Sequence, residues 1–217
     1  MNVTDAREHA AGQIGYTGAV KNVVNSALKR VGGQRYGKDD VDTYTSWKWN
    51  SINCPDHKLN CWTSIVFWAW HGGAISTSWC QRYMEIYIRD ITAGMLADLD
   101  RRSSDISKQN QIRCRLHGQN TANFLGTTRT GTEMFNAPIG RTVFFESPLT
   151  GPMAHVGLSL GGGWVISNWA VPTCTDNQFL HDGLVSIETI AKIARHVGDC
   201  KITMTRKPLW ELGTCVA

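Results

Sequence analysis

The chain has no block of basic residues, no internal repeat, no low-complexity tract, and no apolar stretch approaching the roughly 18 residues of a membrane-spanning helix. Each absence excludes something. Lys and Arg total 22 against 18 Asp and Glu, a formal charge of +4, so the electrostatic footprint of a nucleic-acid binder is missing. Without a long apolar run, no stable membrane insertion is expected. The start, MNVTDAREHAAGQIGY, lacks a basic segment followed by an apolar block, so it does not read as a secretory signal peptide. The expectation is a protein made in a reducing cytoplasm, whose action elsewhere needs another route out.

What is present is enough for a packed core. The 217 residues are 42% hydrophobic and include nine Trp, which offsets the entropy of ordering and excludes disorder as the main state. The length suits a single domain over 1–217, with an insertion-like helical and polar segment at about 80–135. Seven Cys is an odd count in a chain too large to need disulfides, so at least one thiol stands outside any bridge.

The hydrophobic period changes along the chain. Val20, Val23, Val24, Ala27, Leu28 and Val31 form a helical stripe over 18–31 that stops at Gly32-Gly33. A second helix opens near Cys61 and runs through Ile65, Val66 and Ala69 to Gly72-Gly73. A third covers about 80–99. From about residue 138 the period becomes two. Thr142-Val143-Phe144-Phe145 reads as a strand, and Ala154 to Leu160 alternates, with Val156, Leu158 and Leu160 on one face and His155, Gly157 and Ser159 on the other. Gly161-Gly162-Gly163 predicts a hairpin turn and Trp164 to Trp169 the returning strand. A late helix at about 187–196 and a strand at about 201–205 follow. Helices first and an antiparallel sheet second predict an α+β domain.

Cys61 is the most informative cysteine because it stands where the polar segment Asp56 to Asn60 meets an apolar helix. A thiol in the first turn of a helix feels the positive end of the macrodipole, which lowers its pKa and favours the thiolate. Such a nucleophile needs a base, and His155, on the polar face of an otherwise apolar strand, is the candidate. The bland alternatives are a small core cysteine and a structural histidine. Cys54-x2-His57-x3-Cys61 has three residues of types that can ligate a metal. Zinc takes four ligands at recognisable spacing, and Cys114-x2-His117 is too remote to complete the set, so no metal is expected. Cys80, Cys174, Cys200 and Cys215 read as core or surface thiols.

Leu59-Asn60-Cys61-Trp62-Thr63-Ser64 through Trp70, then Gly72-Gly73-Ala74-Ile75, resembles the nucleophile helix of the NlpC-type papain-like cysteine peptidases and amidases. Pro138 to Phe145 is similar to that family's strand before the histidine. His155-Val156-Gly157-Leu158-Ser159-Leu160-Gly161 through Val165-Ile166 is similar to its histidine hairpin. The two blocks cover about a third of the chain. The resemblance implies a papain-like (NlpC-type) fold and a hydrolase in which Cys61 attacks an amide, His155 moves the proton and a third residue orients the imidazole. That third residue lies twelve positions past the histidine and is often a second His; here it is Ser167, a departure that brings no charge. A three-residue turn at 161–163 puts Ser167 on the His155 face, whereas a two-residue turn at 162–163 presents Asn168 instead. Tyr36 resembles the family's upstream tyrosine, and Trp62, Trp164 and Trp169 are candidates to wall a substrate groove, with turn and core packing as the alternatives.

The resemblance further implies peptidoglycan peptides as substrate and no cofactor. Together with the missing signal peptide it suggests an antibacterial effector, delivered to a target-cell periplasm by a machine such as a type VI secretion system and matched by an immunity protein. Papain-like sites also serve deamidases, acyltransferases and proteases acting on host proteins, and a serine at the third position leaves an inactive binding module as another alternative.

Overall fold

The computed structural model describes residues 1–33, 59–85, 136–147, 151–168, 183–197 and 201–212. Among the described residues three helices come first: α1 (Val3–Ala11), α2 (Gly18–Leu28) and α3 (Cys61–His71). A helical run over 77–85, α4, follows. Then come β1 (Thr142–Ser147), β2 (Gly151–Gly161), β3 (Trp164–Asn168), β4 (Val185–Thr189), α5 (Ile190–Val197) and β5 (Lys201–Met204), with a 3-10 turn at Leu209–Glu211. The strands form one antiparallel sheet in the order β4-β3-β2-β1-β5. The predicted α+β class is observed. Because β4 and β5 are opposite edges, α5 carries the chain across the sheet.

The sheet is covered on both faces. Phe144, Val156, Leu158, Leu160, Ile166, Val185 and Ile187 face the layer made by α1, α2 and α3. Val143, Phe145, Val165, Ile202 and Met204 face Ile190 and Ile193 of α5. This explains why Val143, Phe144 and Phe145 are apolar in succession: a strand buried on both sides has no polar face to show. α3 is the centre of the first layer, with every residue from Trp62 to Ala69 buried. At its end it comes so close to α2 that a Cβ on Gly72 would lie 2.8 Å from the backbone N and Cα of Val23.

The β2–β3 hairpin combines both turn geometries weighed from the sequence. Gly162 and Gly163 form the turn, with φ of +55° and +82°, and Gly161 pairs with Trp164. A one-residue bulge follows, so that Ser159 pairs with Val165 and Leu158 with Ile166. Ser159 stitches the bulge: its Oγ donates to Ala137 O at 2.8 Å and accepts from Gly161 N–H at 3.0 Å. The bulge restores odd-to-odd pairing, which is what a three-residue turn alone would have produced.

Three expectations change. The late helix predicted at about 187–196 starts at Ile190; Ile187 to Thr189 belong to β4, whose Val185 and Ile187 pair with Asn168 and Ile166. The chain turns helical where Thr189 Oγ1 accepts the Lys192 N–H at 3.1 Å. α1 was not anticipated, because it buries only Ala6 and Ala10; Asn2 caps it by accepting the Asp5 N–H at 2.9 Å. The third helix begins at 77 rather than about 80, and most of the segment expected over 80–135 lies outside the described residues.

Candidate functional site

Asn60 starts α3. Its Oδ1 accepts the Thr63 N–H at 2.7 Å while its own N–H donates to Thr63 Oγ1 at 3.1 Å, a reciprocal capping box. Cys61 is therefore the first residue of a well-capped helix. Its side chain is half-buried, whereas the next eight are buried, so the thiol sits where the helix meets its surroundings. The N–H groups of this first turn give the position the positive potential that stabilises a thiolate. Cys80 lies deeper, and burial alone pushes its thiol up to about 12.

Asn168 also belongs to this end of α3. Its Nδ2 donates to Leu59 O at 2.6 Å and to Ser64 Oγ at 3.0 Å, and all three residues are buried. Asn168, the sequence's alternative to Ser167 as partner of the histidine, serves the start of α3 instead.

His155 is in β2, paired with Phe145, with the two rings 5.9 Å apart. The ladder from 155 to 158 is regular, so His155 shares its face with Phe145 and Gly157, while Val156 points to the α3 layer. The sheet thus lies between His155 and α3, and the structure does not bring Cys61 and His155 together. The physical reason corrects the sequence argument. An apolar helix packs on the apolar face of a strand, so the polar face that carries His155 is turned away from it. His155 is 1% exposed, and burial lowers its pKa from 6.5 to about 3, which keeps the imidazole neutral at physiological pH.

Ser167 lies on the His155 face, opposite Ser186 in β4 and beside Gly157, where an added Cβ would sit 3.3 Å from Ser167 Cβ. Its buried Oγ has no hydrogen-bond partner among the described residues. Strand parity therefore puts Ser167, and not Asn168, on the face that carries His155. Trp62 does not wall a groove: it is 1% exposed and stacks on Phe144 inside the core. Trp164 is half-buried and packs against that same core. Tyr36 and Trp169 lie outside the described residues, as do Cys54, His57, Cys114 and His117. No cluster of three His, Cys, Asp or Glu suited to a metal ion occurs among the described residues. A cavity of about 460 Å³ opens between the α1–α2 connection and Pro138, Arg141, Pro208 and Glu211; neither Cys61 nor His155 lines it.

Sequence reasoning missed the part played by Asn168 at the helix start. The signal was there, since an amide between Ser167 and Trp169 on a central strand has to find partners if it is buried. Compared with models of known protein families, with curated proteins and with solved structures, the chain matches none of them. The likeness to the NlpC-type peptidases stands on the residues alone.

Proposed function

We propose that the protein is a cysteine-dependent amide hydrolase of papain-like type, with Cys61 as nucleophile and peptidoglycan peptides as substrate, acting as an antibacterial toxin delivered into a target cell. The observation that carries this reading is Cys61 at the first position of a capped, buried helix. The Cys61 thiolate attacks the amide carbonyl carbon, and the Cys61 N–H helps hold the oxyanion. The amine leaves with the proton that the base took from the thiol, and water hydrolyses the resulting thioester to a carboxylic acid and the free thiol. In this arrangement the helix start prepares the thiolate. In this reading His155, neutral and able to accept a proton, is the base, and Ser167, on the same strand face, is its orienting group; both face the α5 side of the sheet in this structure.

A second reading follows from one observation, the sheet that stands between Cys61 and His155. It keeps the fold and removes the chemistry, leaving a binding module. Purified peptidoglycan incubated with the wild type and with Cys61→Ala decides between them, by mass analysis of released fragments. Fragments released only by the wild type support the hydrolase. Equal sedimentation of both proteins with peptidoglycan and no fragments supports the module, and no binding with no fragments overturns the cell-wall substrate.

A further inference from the structure

We infer that Asn168 is a positioning residue for Cys61, holding the Leu59–Asn60 peptide that leads into the helix. This deepens the nucleophile reading and rests on it. Asn168 is fully buried at the end of β3, where an amide is costly unless its hydrogen bonds are made. Its Nδ2 carries two hydrogens and has two acceptors in range, Leu59 O at 2.6 Å and Ser64 Oγ at 3.0 Å.

These two contacts bracket Cys61 in sequence. Leu59 lies two residues before it and Ser64 three residues after it, so one amide spans the whole first turn of α3. The same Leu59–Asn60 peptide is held from its other side as well. Its N–H donates to Thr63 Oγ1 at 3.1 Å, while its C=O accepts from Asn168. A peptide fixed at both polar ends cannot rotate, and its orientation sets where the Cys61 N–H and thiol point. Asn168 thereby ties the nucleophile's helix start to the central sheet. Ser167, the preceding residue, points to the opposite face, so adjacent positions of β3 serve the thiol on one side and the His155 surroundings on the other.

The test is the pH dependence of Cys61 alkylation by iodoacetamide, mapped by mass spectrometry in the folded full-length chain. Asn168→Leu keeps the approximate size of the side chain, removes both donors and adds no charge beside Cys61. It is expected to raise the labelling midpoint of Cys61 by about one pH unit, the equivalent of one hydrogen bond's net contribution. Thr63→Val, which cuts the other tie on the same peptide without changing side-chain shape, is expected to move the midpoint in the same direction. It also keeps the inference testable if the Asn168 variant does not fold. A purely structural role lowers thermal stability and leaves the midpoint of the folded protein where it was; that result overturns the inference. Wild-type Cys61 labelling no faster than Cys80 overturns the nucleophile reading itself. Fast wild-type labelling with an unchanged midpoint in the variants overturns the positioning role alone.

Discussion

The indole of Trp62 stacks on the ring of Phe144, with centroids 6.0 Å apart and planes 26° from parallel, which presses the first turn of α3 onto β1. Both rings are buried. Trp62→Ala is expected to cost about 3–5 kcal/mol in urea unfolding, the range for deleting a large aromatic from a core. A loss below about 1 kcal/mol accompanied by weakened substrate binding would return Trp62 to a groove wall.

The closeness of α2 and α3 makes a sharper prediction, because two adjacent glycines differ in what they protect. Gly72 has an ordinary φ of −77°, but an added Cβ would meet the Val23 backbone, which cannot swing aside. Gly73 has φ of +69° and open space around its Cβ position. Gly73→Ala is expected to cost about 1 kcal/mol, from conformation alone. Gly72→Ala is expected to cost about 1–3 kcal/mol or more, from overpacking, and to exceed its neighbour in a parallel thermal unfolding experiment. Equal losses would show that the two helices move apart easily.

The residues that define the fold were legible where one period dominated. The stripe expected over 18–31, the helix opening at Cys61 and the strand at Val156, Leu158 and Leu160 all announce a buried face, and each element is observed, the first ending at Leu28 and the second at His71. α1 announces little, because two alanines make a narrow stripe. The start of α5 was misplaced because Ile187 and Ile190 satisfy a helical spacing as well as a strand followed by a helix; sheet pairing decides between them. At the site, the helix start at Cys61 was legible from local order. The side of the sheet that receives α3 was not, since it depends on which strand face packs against which layer. Nor was the bulge beside Gly161, which rests on a hydrogen bond from Ser159 to a residue 22 positions away.

The cap offers a test that separates stability from reactivity. Asn60→Ala removes the acceptor for the Thr63 N–H and is expected to cost about 0.5–2 kcal/mol. Asn60→Asp keeps the acceptor, and its charge suits a helix N-terminus, so stability should hold. The same carboxylate stands next to Cys61 and disfavours a second negative charge there, so alkylation of Cys61 at neutral pH should slow. Undiminished labelling in Asn60→Asp would mean that the thiol is remote from the cap's field.

Burial of His155 couples folding to pH in a direction that can be worked out. Its folded pKa, lowered to about 3 by burial, lies well below the 6.5 of an ordinary histidine. Between those values the unfolded chain takes up a proton that the folded protein refuses. Stability is therefore full above about pH 7 and falls as the pH drops, with a slope of at most about 1.4 kcal/mol per pH unit from this residue. His71, lowered to about 4 by partial burial and by the charges of Arg30 and Lys29, acts in the same direction with less weight, since water reaches much of it. Carboxylates titrate in the lower part of the range, so the informative quantity is a difference. Urea midpoints of the wild type and His155→Gln, measured between about pH 7 and pH 5, should show a shallower decline in the variant. Equal slopes would mean that His155 is open to water and protonates in the folded state.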